Sequence, residues 1–203
     1  QGHVVSLFDE KPDPDVYQSE AMLYEFYRVG IEILERRPDT IVVAKPKRFE
    51  WIHEVREVLD LVAPYVASGR MKIWCRMSVD LWQVLAVSDV AVSMVMGTPH
   101  LEAVCCGKTG FSYAPTRNHA SPIYAQGFGK VVFDEVDDLV DAIDRALDHP
   151  EENPWAGLEC LVADIDPFRD SRGIDRMRSF ISEMSLEAPP ILEAKAVGVA
   201  GSG

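Results

Sequence analysis

The chain has 203 residues, 47% of them apolar and 26% charged, which suffices for a substantial core in one large or two small domains. Its 33 acidic and 20 basic side chains leave a net charge of −13, which argues against a nucleic-acid backbone or an anionic membrane as main partner. An anionic ligand in a local basic pocket is still allowed, and no run of 18 apolar residues or signal peptide is visible in the sequence.

Val4 to Phe8 is the first predicted strand. The loop Asp9-Glu10-Lys11-Pro12-Asp13-Pro14-Asp15 is set by two prolines and acidic turn formers. A helix follows from Val16 to Arg36, with Met22, Phe26, Val29 and Ile33 at helical spacing on one face. Thr40 to Ala44 is the second strand. Lys45-Pro46-Lys47-Arg48 stands directly after it, the densest basic cluster in an acidic chain. A strand's carboxyl end is where open α/β sheets hold ligands. Lys45, Lys47 and Arg48 are therefore candidate anion-binding residues, with a solvated basic turn as the alternative.

Ile52, Val55, Leu59 and Val62 mark the next helix, which Pro64 helps to end. Met71 to Cys75 is the third strand. Ser78 is the expected N-cap of a helix through Val87, with Leu81 and Leu85 turned inward. Lying at a strand-to-helix junction on the ligand side, the Ser78 hydroxyl is also a candidate phosphate contact.

The segment Asp89 to Pro115 organises the rest. Val90-Ala91-Val92 is the short apolar run of a strand buried on both faces. Met96-Gly97-Thr98-Pro99 breaks that strand and opens a short helix to Cys106. Thr98 is the expected N-cap, Pro99 the first helical residue and Gly107 the residue that closes the helix. Lys108 to Tyr113 returns to strand. The helix start puts backbone N–H groups and partial positive charge at a strand's carboxyl end, which suits an anion. Gly97 and Thr98 are thus candidate phosphate-binding residues, and Glu102 brings a carboxylate to the same rim. His100 is the local candidate for acid–base catalysis, at a helix N-terminus where its charged form is disfavoured.

Thr116 to Gly127 is a loop with some helix. It carries His119, which either reaches a substrate or is solvated. Lys130 to Phe133 is the last strand, and Glu135 to Leu147 an amphipathic helix. His149 to Leu158 is an irregular connector with Trp155 as its packing anchor. Asp166-Pro167-Phe168-Arg169-Asp170 precedes a final helix, Gly173 to Met184, with Ile174, Met177 and Ile181 on its buried face. Residues 1–185 are expected to form the domain and 186–203, with Pro189-Pro190 and a Gly/Ala/Ser-rich end, a flexible tail. Cys75, Cys105, Cys106 and Cys160 form no C-x-x-C pair, and no His spacing suggests zinc. The cysteines are expected to be small buried residues. Free thiols suit a reducing cytoplasm, so the expected location is the cytoplasm or its periphery at the inner membrane.

Six strands alternating with helices predict an α/β fold with a doubly wound, parallel, six-stranded, Rossmann-like sheet. No G-x-G-x-x-G follows the first strand, which counts against a dinucleotide-binding domain.

Gly97-Thr98-Pro99, Leu101-Glu102-Ala103 and Gly107-Lys108 with Gly110 together resemble the donor-binding motif of GT-B glycosyltransferases. The match is nearest to bacterial capsule and surface-polysaccharide enzymes. Lys45-Pro46-Lys47-Arg48 and Asp166-Pro167-Phe168-Arg169-Asp170 are similar to segments of those enzymes, which usually carry glycine where this chain has Ser171. The resemblance covers most of Val4 to Ile181 and implies the C-terminal half of a GT-B protein. It implies a glycine turn cradling a diphosphate, Glu102 on the ribose, and Lys45, Lys47 and Arg48 on donor phosphate. The implied reaction moves a sugar from a nucleotide sugar, a UDP-sugar being favoured, to a glycan acceptor. Cationic side chains and helix amides would stabilise the leaving diphosphate without metal or cofactor. The acceptor site, and often the general base, come in that family from an N-terminal domain missing here. The chain starts at Gln1 with no initiator methionine and reads as a piece of a longer product. Non-hydrolysing UDP-sugar 2-epimerases share the fold and are one alternative. A non-catalytic flavodoxin-like ligand-binding module is another.

Overall fold

The computed structural model describes residues 2–9, 19–47, 55–74, 79–95, 97–117, 121–163, 166–168, 170 and 172–187, with 184–187 described by their backbone. The chain divides into two compact units, 1–167 and 168–203. In chain order the first unit runs β1 (His3–Phe8), α1 (Glu20–Arg36), β2 (Thr40–Ala44), α2 (Arg56–Ala67), β3 (Met71–Ile73), α3 (Leu81–Val87) and β4 (Val90–Met94). It continues with α4 (Pro99–Cys105), β5 (Thr109–Tyr113), α5 (Pro122–Gly127), β6 (Val132–Phe133), α6 (Val136–Asp148) and α7 (Glu159–Ala163). The second unit holds α8 (Gly173–Glu187).

The strands form one six-stranded sheet, all parallel, in the order β3-β2-β1-β4-β5-β6. This is the doubly wound, Rossmann-like α/β sheet predicted from the strand–helix alternation. The chain works outward from β1 to β3, then returns to lay β4 on the other side of β1. The strand order reverses between β1 and β4, which is where such sheets open a ligand crevice.

Successive side chains of a strand point to opposite faces, and both faces here are covered. Val5 and Leu7 of β1, Val42 and Ala44 of β2, and Val90, Val92 and Met94 of β4 share one buried cluster with Leu23 and Phe26 of α1, Val58 and Val62 of α2, and Leu139 and Ile143 of α6. Phe8, Val43 and Ala91, the alternate positions, join Val84 and Leu85 of α3 and Ala103 of α4 in a second cluster. Burial on both faces explains why these strands read as unbroken apolar runs.

Ser19 caps α1 by accepting from the Met22 amide at 3.2 Å. At Gly30 a Cβ would lie 2.7 Å from Leu7 Cδ1, so a side chain there would have to displace the Leu7 side chain packed beneath α1. The far end of α1 is clamped to α6. Arg36 Nη1 reaches Asp141 at 2.6 Å and Asp144 at 3.1 Å, while Arg37 pairs with Asp144 at 2.7 Å and with Asp148. The Arg37 hydrogen bond holds the Asp148 carboxyl below its ordinary pKa.

Several local expectations change. Pro64 lies inside α2, whose last turn closes through Ser68 N–H to Pro64 O at 3.0 Å. Asp80, not Ser78, caps α3, and its amide donates to Gln83 Oε1 at 2.9 Å. Cys105 is half-buried, and Cys106 and Cys160 are exposed; Cys75 lies outside the described residues. Within the second unit, α8 is the single helix among the described residues. Ile174, Met177 and Ile181, expected on its buried face, are each more than half exposed. No helix among the described residues is long and apolar enough to cross a membrane.

Candidate functional site

The carboxyl ends of β2, β1 and β4 lie side by side at one rim of the sheet. The basic turn follows β2. The Lys45 amide donates to Leu7 O at 2.8 Å, carrying the β1–β2 ladder one step past the strand. Pro46 is buried, Lys45 half-buried and Lys47 exposed. The Lys47 amide donates to Asp9 Oδ1 at 3.2 Å, and Tyr27 of α1 donates to Asp9 Oδ2 at 2.5 Å. Asp9 is only 4% exposed, so the turn is tied to the interior. Arg48, Ser78 and His119 lie outside the described residues.

The second turn follows β4, two inter-strand spacings away, roughly 10 Å. Val95 has φ 53°, a left-handed conformation that costs a β-branched residue on the order of 1–3 kcal/mol. The flanking hydrogen bonds hold it: Val95 N–H to Tyr113 O at 2.7 Å and Gly97 N–H to Met94 O at 3.1 Å. Thr98 does not cap α4 through its side chain, because its own backbone is already helical. Its carbonyl takes the amides of Leu101 and Glu102, both at 3.0 Å. The Gly97, Leu101 and Glu102 amides are therefore engaged within the chain. The far end of α4 closes as predicted. Gly107 has φ 72°, its amide bonds to Val104 O at 3.0 Å, and the Lys108 amide bonds to Ala103 O at 2.9 Å. Glu102 is half-buried at the rim.

His100 sits one position into α4 and is fully buried. Its Nδ1 lies 2.7 Å from Ser93 Oγ of β4, and its Nε2 is enclosed without a hydrogen-bond partner. The ring stacks on Trp155 at 6.0 Å, and Trp155 Nε1 donates to Gly110 O at 2.9 Å. Burial pushes the imidazole pKa down to about 4, with the Gly97 backbone acting the other way. The ring is neutral near pH 7 and does not open onto the rim. This corrects the expectation of an acid–base role: His100 anchors α4 to the sheet from inside.

Further along the same rim, Arg117 (φ 52°) holds the largely buried Asp134 at 2.6 Å. A polar cleft of about 390 Å³ is lined there by Glu25, Arg28, Tyr113, Arg117, Asp134 and Glu135. Burial first, then Glu25 and Glu135, push the Tyr113 hydroxyl up to about 12. A larger cavity, about 600 Å³, lies by the outer strand β6 and α6 between Phe111, Phe128, Phe133 and Ala142. It holds none of the candidate residues, and its cations Lys130 and Arg145 share the lining with Asp134, Asp138, Asp141 and Glu152.

The structure thus places Lys45, Lys47, Gly97, Thr98 and Glu102 along one rim and sets His100 beneath it. Sequence reading missed Asp9, Tyr27 and Ser93. For Asp9 the available signal was its place directly after an apolar strand.

No family model matches the chain, and neither does any curated protein. Solved structures do. A protein from Listeria monocytogenes assigned as a UDP-N-acetylglucosamine 2-epimerase superimposes with TM-score 0.50 at 19% identity, over 74% of this chain and 37% of that one. The C-terminal domain of a group 1 family glycosyl transferase from Francisella tularensis gives TM-score 0.52 at 14% identity, over 73% of this chain and 77% of that one. A UDP-forming α,α-trehalose-phosphate synthase from Burkholderia xenovorans gives TM-score 0.50 at 14% identity, over 91% of this chain and 45% of that one. At these identities the likeness is one of fold. The shared fold is the parallel, Rossmann-like sheet of the Francisella C-terminal domain, and the chain spans less than half of the epimerase and of the synthase.

Proposed function

We propose that the chain is the nucleotide-sugar-binding domain of a GT-B glycosyltransferase acting in surface-glycan synthesis, with a UDP-sugar as donor. The observation that carries this reading is the pairing of two turns at the switch point. The cationic turn at Lys45 and Lys47 and the turn Gly97 to Glu102 flank the end of β1 on the same rim. A nucleotide diphosphate fits that pairing chemically. Its phosphates meet the ammonium groups of Lys45 and Lys47 and the guanidinium of Arg48, the strong class of charge-assisted bonds. Its ribose hydroxyls donate to Glu102. In glycosyl transfer the same cations neutralise charge developing on the leaving diphosphate. The acceptor and the general base come from an N-terminal domain, and the isolated chain binds donor without efficient turnover. Titration calorimetry with UDP, CMP, GDP, ADP and their sugars tests this. UDP binding is the expected result, and failure of every nucleoside diphosphate to bind sinks the reading.

The Listeria likeness favours a second reading, a 2-epimerase half-site. The two separate on one assay with a supplied N-terminal domain: transfer to an acceptor supports the first, and C2 inversion of the sugar supports the second.

A further inference from the structure

We infer that Asp9 and Tyr27 are positioning residues for the basic turn, and that this turn meets its anionic ligand through side chains rather than main-chain amides. The inference rests on the phosphate role proposed above for Lys45 and Lys47. Asp9 directly follows β1, the strand at the switch point, and its carboxylate is 4% exposed. A buried carboxylate needs hydrogen bonds to offset its lost hydration. Asp9 takes one from each of two distant elements: the Tyr27 hydroxyl of α1 at 2.5 Å and the Lys47 amide of the basic turn at 3.2 Å. Tyr27 is itself fully buried and edge-on to Phe26, at 6.1 Å between ring centroids, so its hydroxyl is a fixed point.

The turn is therefore pinned twice against β1, at Leu7 O through Lys45 and at Asp9 Oδ1 through Lys47. Between the two pins stands Pro46, whose ring fixes its own φ. This geometry has a chemical consequence. The Lys47 amide already faces an anion inside the protein, so it is not a donor toward a ligand. With the Lys45 and Lys47 amides both engaged and Pro46 lacking one, what these residues can bring to a ligand is their side chains. A negative carboxylate beneath their charge weakens rather than strengthens attraction for a phosphate. Its role in binding is to hold the turn in place.

Four variants of this chain test the inference, with UDP and uridine as probes and Lys47 amide hydrogen exchange as a readout that needs no ligand. Asp9→Ala removes the pin, so Lys47 exchange accelerates and UDP binding weakens by about tenfold while uridine binding holds. Asp9→Asn keeps an oxygen acceptor and removes the charge, so exchange stays slow and UDP affinity stays within about twofold of the parent. Tyr27→Phe retains the core ring and loses one bond, and serves if Asp9→Ala does not fold; its Lys47 exchange rises in part. Asp9→Ala added to Lys45→Ala, Lys47→Ala and Arg48→Ala together costs no further UDP affinity, because the contacts it positions are already gone. Unchanged Lys47 exchange in both Asp9→Ala and Tyr27→Phe overturns the anchor. Equal UDP loss in Asp9→Asn and Asp9→Ala overturns positioning in favour of charge. Released Lys47 exchange with full UDP affinity in the combined Lys45→Ala, Lys47→Ala, Arg48→Ala variant overturns the phosphate role instead.

Discussion

The two turns at the rim solve the same problem in opposite ways. The basic turn is pinned through its main chain to a buried carboxylate, Asp9. The glycine turn carries a strained residue, Val95, and leads into a helix held from below by the buried side chains of His100, Trp155 and Ser93. The first can lose its charges without disturbing the core. The second cannot lose its supports, because they are the core. Function and stability are separable at Lys45 and Lys47 and entangled from Val95 to Gly110.

The largest expected effect comes from pushing on the entangled side. A Cβ at Gly110 would lie 2.1 Å from the His100 carbonyl oxygen, a backbone atom that cannot swing aside. Gly110→Ala is expected to destabilise by more than the ~1–3 kcal/mol of ordinary overpacking, read by urea unfolding. A change below ~1 kcal/mol would show that α4 is free to lift away.

A smaller effect comes from acid. The folded chain keeps His100 neutral down to about pH 4, whereas the unfolded chain takes up the proton near the ordinary value of 6.5. Stability from this group is complete above pH 6.5 and falls as pH drops through that window, by roughly 3 kcal/mol. His100→Gln should flatten the slope of unfolding free energy between pH 6.5 and 4, whatever its absolute stability. An unaltered slope would mean that His100 already titrates in the fold.

On the ligand side, Glu102→Ala should weaken UDP binding by about tenfold to a hundredfold, and Glu102→Gln by less, since one acceptor survives. Both should melt with the parent protein. Parent affinity in both variants, measured by calorimetry, would mean that Glu102 faces solvent and does not grip the ribose. The smallest effect sharpens the contrast. Thr98 makes no side-chain cap, so Thr98→Ala should change stability by less than ~0.5 kcal/mol, against ~1 kcal/mol for a working cap.

The sheet was legible in the sequence because strands buried on both faces must be apolar throughout. Thr40 to Ala44 matches β2, the first and fifth strands match within one residue at each end, and the fourth runs two residues past the apolar run Val90 to Val92. The outer strands were overestimated: β3 stops at Ile73 and β6 starts at Val132. Each has one neighbour, so pairing rather than composition sets its length. The rim positions of Lys45, Lys47, Gly97 and Glu102 followed from the order of strand and turn. What lay beneath did not. Asp9 read as one of several acidic turn formers, because its partners lie 18 and 38 positions away. His100 read as a rim residue because it opens a helix. The available clue was its three-residue spacing from Ala103, which puts both on the inward face. The exposure of Cys106 was missed because small apolar residues carry no mark of facing.

The clamp between α1 and α6 bears on how the protein emerges from the ribosome. The acidic partners of Arg36 and Arg37 follow them by 105 to 111 residues. A nascent chain that has completed β4 already has β1 paired on both sides, yet the first helix still shows two arginines with no counter-charge from α6 and an apolar flank awaiting Leu139 and Ile143. Closure therefore waits until Asp148 has been made, and contacts of such long sequence separation fold slowly. The half-made protein is a basic-flanked, partly bare sheet, and its residence in that state is set by translation speed between the fourth strand and Asp148.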